Sequence, residues 1–195
     1  MDRVEHIRSV ALELFAGKGY EATTMADIGE AVGMRAPSLY KHVASKQELL
    51  AQIMEATMRE LLAANRAAVA TTTDPVERLR RATEAHVRYH ARHRLEAFVG
   101  NREIRSLTEP HRGRVLELRA EYESRFRDLV QAGSRQGVFA VASARLASYA
   151  ILDLGMGLAA WYREDGEHGE DAVVWQYSEF ALRLVGARGP ALELN

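Results

Sequence analysis

Cysteine is missing from all 195 residues, which excludes disulfides and thiolate metal sites. Proline occurs only four times, and apolar residues recur at spacings near 3.6, so the expected fold class is all-α. No apolar run approaches the roughly 20 residues that cross a bilayer. The amino end, MDRVEHIRSVALELFAGKGY, is amphipathic and carries acids, unlike a secretory leader. A cytoplasmic protein is therefore expected. Charge of neither sign is in excess: 26 Lys and Arg stand against 27 Asp and Glu, a formal net charge of -1. There is also no glycine-rich phosphate loop, no G-x-S-x-G, no H-E-x-x-H and no paired carboxylates in an apolar setting. These absences argue against an enzyme and leave no cofactor expected.

What is present is concentrated between Thr23 and Leu50, TTMADIGEAVGMRAPSLYKHVASKQELL. Thr24 followed three residues later by Asp27 is a capping-box variant, so a helix starts near Met25. Ala26, Ile28, Ala31 and Val32 give it an apolar stripe, and Gly33 stands where a left-handed residue ends the helix. Pro37 suits the first turn of a second helix over about 36–43, whose buried side is Leu39 with Val43. Ser45-x-x-Glu48 caps a third helix. Two short helices joined by a glycine turn have the geometry of DNA readers.

Charge supports that use. Between Gly33 and Lys46 lie Arg35, Lys41, His42 and Lys46 with no acid, whereas the first 46 residues together hold six basic and six acidic residues. A focused patch docks on a duplex without a basic chain overall, because each neutralised phosphate releases counterions.

The segment resembles the DNA-binding domain of the TetR family of bacterial repressors, whose motif runs T-T-x-x-D-I-x-x-A-x-G-x-x-x-x-x-L-Y-x-H-F-x-x-K-x-x-L. Thr23, Thr24, Asp27, Ile28, Ala31, Gly33, Leu39, Tyr40, His42, Lys46 and Leu49 match it, and Val43 replaces the usual phenylalanine. The resemblance implies that Thr24, Tyr40, His42 and Lys46 meet phosphates. It places Arg35, Ala36, Pro37, Ser38 and Lys41 nearest the base edges. Arginine can also hold a guanine in a bidentate pair.

Beyond the head, Lys46 to about Thr71 is expected as one helix, and Asp74-Pro75 as the cap and first turn of the next. Further helices are expected at about 75–92, 94–107, 110–135, 144–163 and 169–186. That makes nine, which the resemblance divides into a three-helix head and a six-helix domain. The expected domains are 1–45, binding DNA, and 46–195, binding a ligand and a second subunit.

Residues 145–163, RLASYAILDLGMGLAAWYR, are apolar on every side apart from Asp153, so this helix must be covered twice. A core on one face and a partner subunit on the other would do it, with Ile151, Gly155 and Leu158 at the contact and Trp175, Phe180 and Leu184 completing a four-helix seam. The alternative is a fully buried helix in a monomer. A homodimer would set two recognition helices about 34–36 Å apart on a palindromic operator. An effector that prefers one spacing of the heads would then release a repressor.

The effector is less plainly written. Phe98 and Arg102 share a helix face, Arg102 serving either as an anion clamp or in an internal pair with Asp153 or Glu103. Tyr122 and Phe126, with Met156 and Trp161, either line a pocket or are plain core. REIRSL, RAEYESRFRDLV, GSRQGVF and the Trp161-Tyr162-Arg163-Glu164-Asp165-Gly166 stretch resemble a branch of the family that often senses acyl-coenzyme A thioesters. Glu164 replaces a proline common there. Arg78, Arg81, Arg88, Arg92, Arg102 and Arg105 could meet the phosphates of such a ligand. A hydrophobic, drug-like effector is the alternative. A metal sensor built on His86, His90 and His93 is a further one, though no metal site is expected.

Overall fold

The computed structural model describes residues 2–187, and every regular element among them is helical. Its contacts divide the chain into two compact units: residues 1–59 with 93–119, and residues 60–92 with 120–195. The boundary expected at 45/46 does not appear in this division. The helix that begins at Lys46 runs on to Val69 without a break. Residues 188–195 of the expected second domain lie outside the described residues.

The first unit holds α1 (Arg3–Gly17), α2 (Met25–Ala31), α3 (Ala36–Leu39), the first part of α4 (Lys46–Val69), α6 (Arg94–Glu103), a 3-10 turn (Ile104–Ser106) and the start of α7 (His111–Arg135). Ile7, Ala11 and Phe15 of α1, Ile28 of α2, Leu39, Val43, and Leu49 and Leu50 of α4 are all within 1% of full burial in one cluster. Val99, Leu107 and Val115 close that cluster. This is why α6 and the start of α7 belong to the unit that carries the head.

The second unit holds the rest of α4, α5 (Pro75–Arg92), the remainder of α7, α8 (Ala144–Met156), α9 (Leu158–Trp161) and α10 (Glu170–Leu184). The α5 cap is as expected: the Glu77 N–H donates to Asp74 Oδ1 at 2.8 Å and Pro75 opens the first turn. Val87, Ala91, Leu158, Tyr162, Val173 and Val174 form a core of α5, α9 and α10. An ion-paired rim flanks it, in which Arg88 and Arg92 converge on Glu170 at 3.2 and 2.7 Å. Glu170 stands in the first turn of α10, where the positive end of the helix also favours a carboxylate.

Three expected helices differ in extent. That over 94–107 is α-helix only to Glu103 and then a 3-10 turn over Ile104–Ser106. The helix expected over 36–43 keeps regular hydrogen bonding only over Ala36–Leu39, then continues as turns through Val43. The helix expected over 144–163 divides at Gly157 into α8 and α9, so ten α-helices and one 3-10 turn occur among the described residues, where nine were expected.

Candidate functional site

The head is fixed from its caps outward. The Asp27 N–H donates to Thr24 Oγ1 at 3.1 Å, and the Thr24 N–H returns to Asp27 Oδ2 at 2.7 Å. Thr24 bonding above all, and then Lys18 at 2.9 Å, holds the Asp27 carboxyl at about 2, well below the usual carboxylate range. Thr23, fully buried, donates its hydroxyl to the Gly19 carbonyl at 2.8 Å and so secures the chain entering α2.

At the turn, Gly33 has φ +67, the left-handed conformation that glycine adopts without strain. A second glycine had no part in the sequence argument. A side chain at Gly29 would stand 3.0 Å from the Met34 carbonyl oxygen, so Gly29 lets the turn fold against α2. The signal was a glycine in mid-helix, where it costs stability unless something approaches closely.

Arg35, Ala36, Pro37, Ser38, Tyr40, Lys41, His42 and Thr24 are all exposed, while Leu39 and Val43 face inward. Arg35 and Lys41 form no ion pair among the described residues. A short helix therefore presents an unpaired basic and polar face on a fully packed base, as phosphate and base-edge contacts require. Arg3 and His6 of α1 line a shallow groove with Val32 and Met34 beside this turn; sequence reasoning had not singled them out.

Lys46 has a structural role that the sequence did not show. Its ammonium donates to the Tyr20 carbonyl at 2.8 Å and lies 4.2 Å from the centre of the Tyr20 ring. It joins α4 to the α1–α2 connection through the Tyr20 and Glu21 carbonyls, which leaves its charge unpaired and a third N–H for a phosphate.

In the second unit a buried polar cluster stands where the pocket stripe was expected. His86 is buried, its Nδ1 3.0 Å from the Tyr122 hydroxyl and its Nε2 3.0 Å from the Leu152 carbonyl. A carbonyl only accepts, so Nε2 carries the proton and Nδ1 accepts from Tyr122. Burial, with His90 beside it, lowers the imidazole pKa well below its ordinary value and keeps it neutral. Burial likewise raises that of the Tyr122 phenol. With both ring nitrogens engaged, His86 has no lone pair for a metal. His93 lies in the other unit, 3.6 Å from Glu96, and no group of three candidate metal ligands occurs among the described residues.

The other expected ligand residues divide between the two units. Phe126 is fully buried with its ring against Tyr122 and His86, which makes it core. Met156 is half-buried and Trp161 is 46% exposed. Arg102 belongs to the first unit with Phe98; its side chain is 64% exposed, 3.6 Å from Glu103 and above the Phe98 ring. Glu103 is one of the two carboxylates expected to pair with it, but the arginine itself stands at the surface. Of the arginines expected at a ligand mouth, Arg81, Arg88, Arg92 and Arg102 already face carboxylates.

The expected dimer residues also separate. Ile151 and Leu158 are fully buried, and a side chain at Gly155 would stand 2.2 Å from His86 Cδ2. All three serve the core of their own unit and are not surface contacts. Trp175, Phe180 and Leu184 are exposed, with Leu146 and Tyr149 on α8. At 100° per residue, Phe180 and Leu184 share one edge of α10 and Trp175 lies roughly opposite.

Comparison with known proteins decides the family. The profile described as bacterial regulatory proteins, tetR family, matches residues 7–53, and that of the tetracyclin repressor-like C-terminal domain matches residues 72–185. The chain belongs to the TetR family. Among its TetR relatives, the HTH-type transcriptional repressor KstR2 of Rhodococcus jostii (strain RHA1) is 29% identical over 183 residues, covering 92% of this chain and 89% of the relative. A tetR-family regulatory protein from Rhodococcus RHA1 superposes with a TM-score of 0.91 at 31% identity, covering 97% of this chain and 100% of that one. AibR, solved with isovaleryl coenzyme A and operator DNA, shares the fold at a TM-score of 0.85 and 23% identity, covering 96% and 100% of the two chains. Membership makes this chain a TetR-type, ligand-responsive transcriptional repressor and not an enzyme.

Proposed function

We propose that the chain acts as a homodimer on a palindromic operator and is released by an acyl-coenzyme A thioester. The observation that carries the DNA half is the exposed, unpaired face of Arg35, Ala36, Pro37, Ser38, Tyr40, Lys41 and His42 on a capped and packed head. Thr24, Tyr40 and His42 bind phosphates; Arg35, with Lys41 beside it, reads base edges. The dimer seam uses Leu146 and Tyr149 of α8 with Phe180 and Leu184 of α10. These are large apolar side chains left in water by a monomer, the kind of patch a partner covers.

The thioester is supported by the resemblance of the carboxyl half to thioester-sensing regulators and by the isovaleryl coenzyme A bound to AibR. Of the expected arginines in the second unit, Arg78 alone forms no ion pair among the described residues and is the one left for an anionic ligand. The test is binding of the full-length protein to a fluorescent duplex selected from a random-sequence library, followed during titration with acyl-coenzyme A thioesters, coenzyme A and the free acids. Release by thioesters alone is expected. Release by a hydrophobic drug, with no response to any thioester, overturns the effector assignment and leaves operator binding intact.

A further inference from the structure

We propose that Gln47 is a positioning residue for operator binding: its carboxamide ties the segment leading into the reader to the segment that follows α6, so that each holds the other in place. Gln47 is the second residue of α4. Its Nε2 donates to the Tyr20 hydroxyl at 2.9 Å and to the Ser106 carbonyl at 2.6 Å. Its Oε1 accepts from the backbone N–H of Thr108 at 3.0 Å and from the Thr108 hydroxyl at 3.2 Å. Two donors and two lone pairs are thus all used, and every partner lies in the first unit.

Both ends of this link are anchored. Tyr20 is buried, packs edge-on against Phe15 at 5.1 Å, and carries Lys46 on its ring. Three residues later Thr23 fixes the approach to the Thr24 cap, so the position of Tyr20 sets where α2 begins. At the other end Ser106 donates its hydroxyl to Glu103 at 2.8 Å, a buried carboxylate at the end of α6. A leucine at position 47 would fill the space but leave the Tyr20 hydroxyl, the Ser106 carbonyl and the Thr108 N–H without this partner. No base or phosphate contact is assigned to Gln47; it acts through the placement of the reader. The inference concerns operator binding itself and is independent of which effector the protein senses.

Tyr20→Phe and Thr108→Val each remove one hydroxyl at opposite ends of the carboxamide, and Gln47 is the hydrogen-bond partner the two hydroxyls share. In the full-length protein, each is expected to weaken binding to the library-selected duplex by about 3- to 10-fold, the scale of one hydrogen bond. The double variant should depart from the product of the two effects by more than about twofold, the mark of coupled sites. In a Gln47→Leu background Thr108→Val should be silent. Backbone amide resonances of residues 23–39 should shift on Thr108→Val when Gln47 is present and stay still in Gln47→Leu, a response that loss of stability alone does not produce. Should Gln47→Leu fail to fold, the cycle between Tyr20→Phe and Thr108→Val decides. Strict additivity, or Thr108→Val binding within twofold of the native chain, overturns the proposal.

Discussion

Asp27 joins the start of α2 to Lys18, and its carboxyl is the most perturbed acid on the head. Its folded value of about 2 lies below the ordinary 3.8. A depressed carboxylate contributes stability that is complete above its unfolded value and is lost as pH falls through its folded value. The contribution from Asp27 should therefore persist above about pH 4 and disappear between about 4 and 2. The carboxyl carbon resonance of Asp27, followed by NMR, should titrate near 2; a midpoint near 3.8 removes the reciprocal cap from the solution structure. Arg35 and Lys46 make a sharper contrast. Replacing Arg35 with alanine should relax preference at one base pair by about 1–3 kcal/mol. Lys46→Met should lower the melting temperature, since its ammonium donates to the Tyr20 carbonyl. A flattened salt slope in the same variant would show that the ammonium also meets a phosphate, and an unchanged slope that its role is structural alone.

Helices show why some of this was readable in advance and some was not. The caps of α2 and α5 and the glycine turn depend on residues within a few positions of one another, so Thr24–Asp27, Asp74–Pro75 and Gly33 could be placed from the chain alone. The two-sided apolar character of α8 was equally plain. Which residue faced which side was not, because that is decided by partners far away: Gly155 and Leu152 of α8 meet His86 of α5, and no local pattern encodes such a meeting. Arg102 was legible in part: Glu103 is an expected partner, but an apolar stripe does not reveal whether its last residue passes beyond the edge of the core. Gly155→Ala places a methyl group 2.2 Å from the imidazole and should destabilise the protein by about 1–3 kcal/mol in urea unfolding. Unchanged stability would mean that His86 moves aside freely. Phe180→Glu with Leu184→Glu leaves the interior of the second unit intact and should yield monomers that lose operator binding, read by light scattering and the duplex titration. A double variant that remains dimeric would move the seam away from this edge of α10.

For the whole molecule, the decisive fact is that the first unit is discontinuous in sequence. The chain leaves it after residue 59, returns at 93 and leaves again after 119. Residues 1–59 alone would lack Val99, Leu107 and Val115, which complete the cluster around Phe15, Leu39 and Leu50. Expressed on their own, they should show weak helical circular dichroism and no cooperative melt; a cooperative melt equal to that of the intact protein would establish them as self-sufficient. The expected boundary at 45/46 followed the reach of the recognition motif, and a motif marks what touches DNA, not what closes a core. That discontinuity has a practical corollary for engineering. A chimera spliced once, after residue 45, would graft the reader onto a foreign sensor without the hydrophobic cover it was folded with. An exchange of operator specificity is better made by replacing only the exposed residues of 35–42 in place, leaving every splice junction of the parent chain untouched.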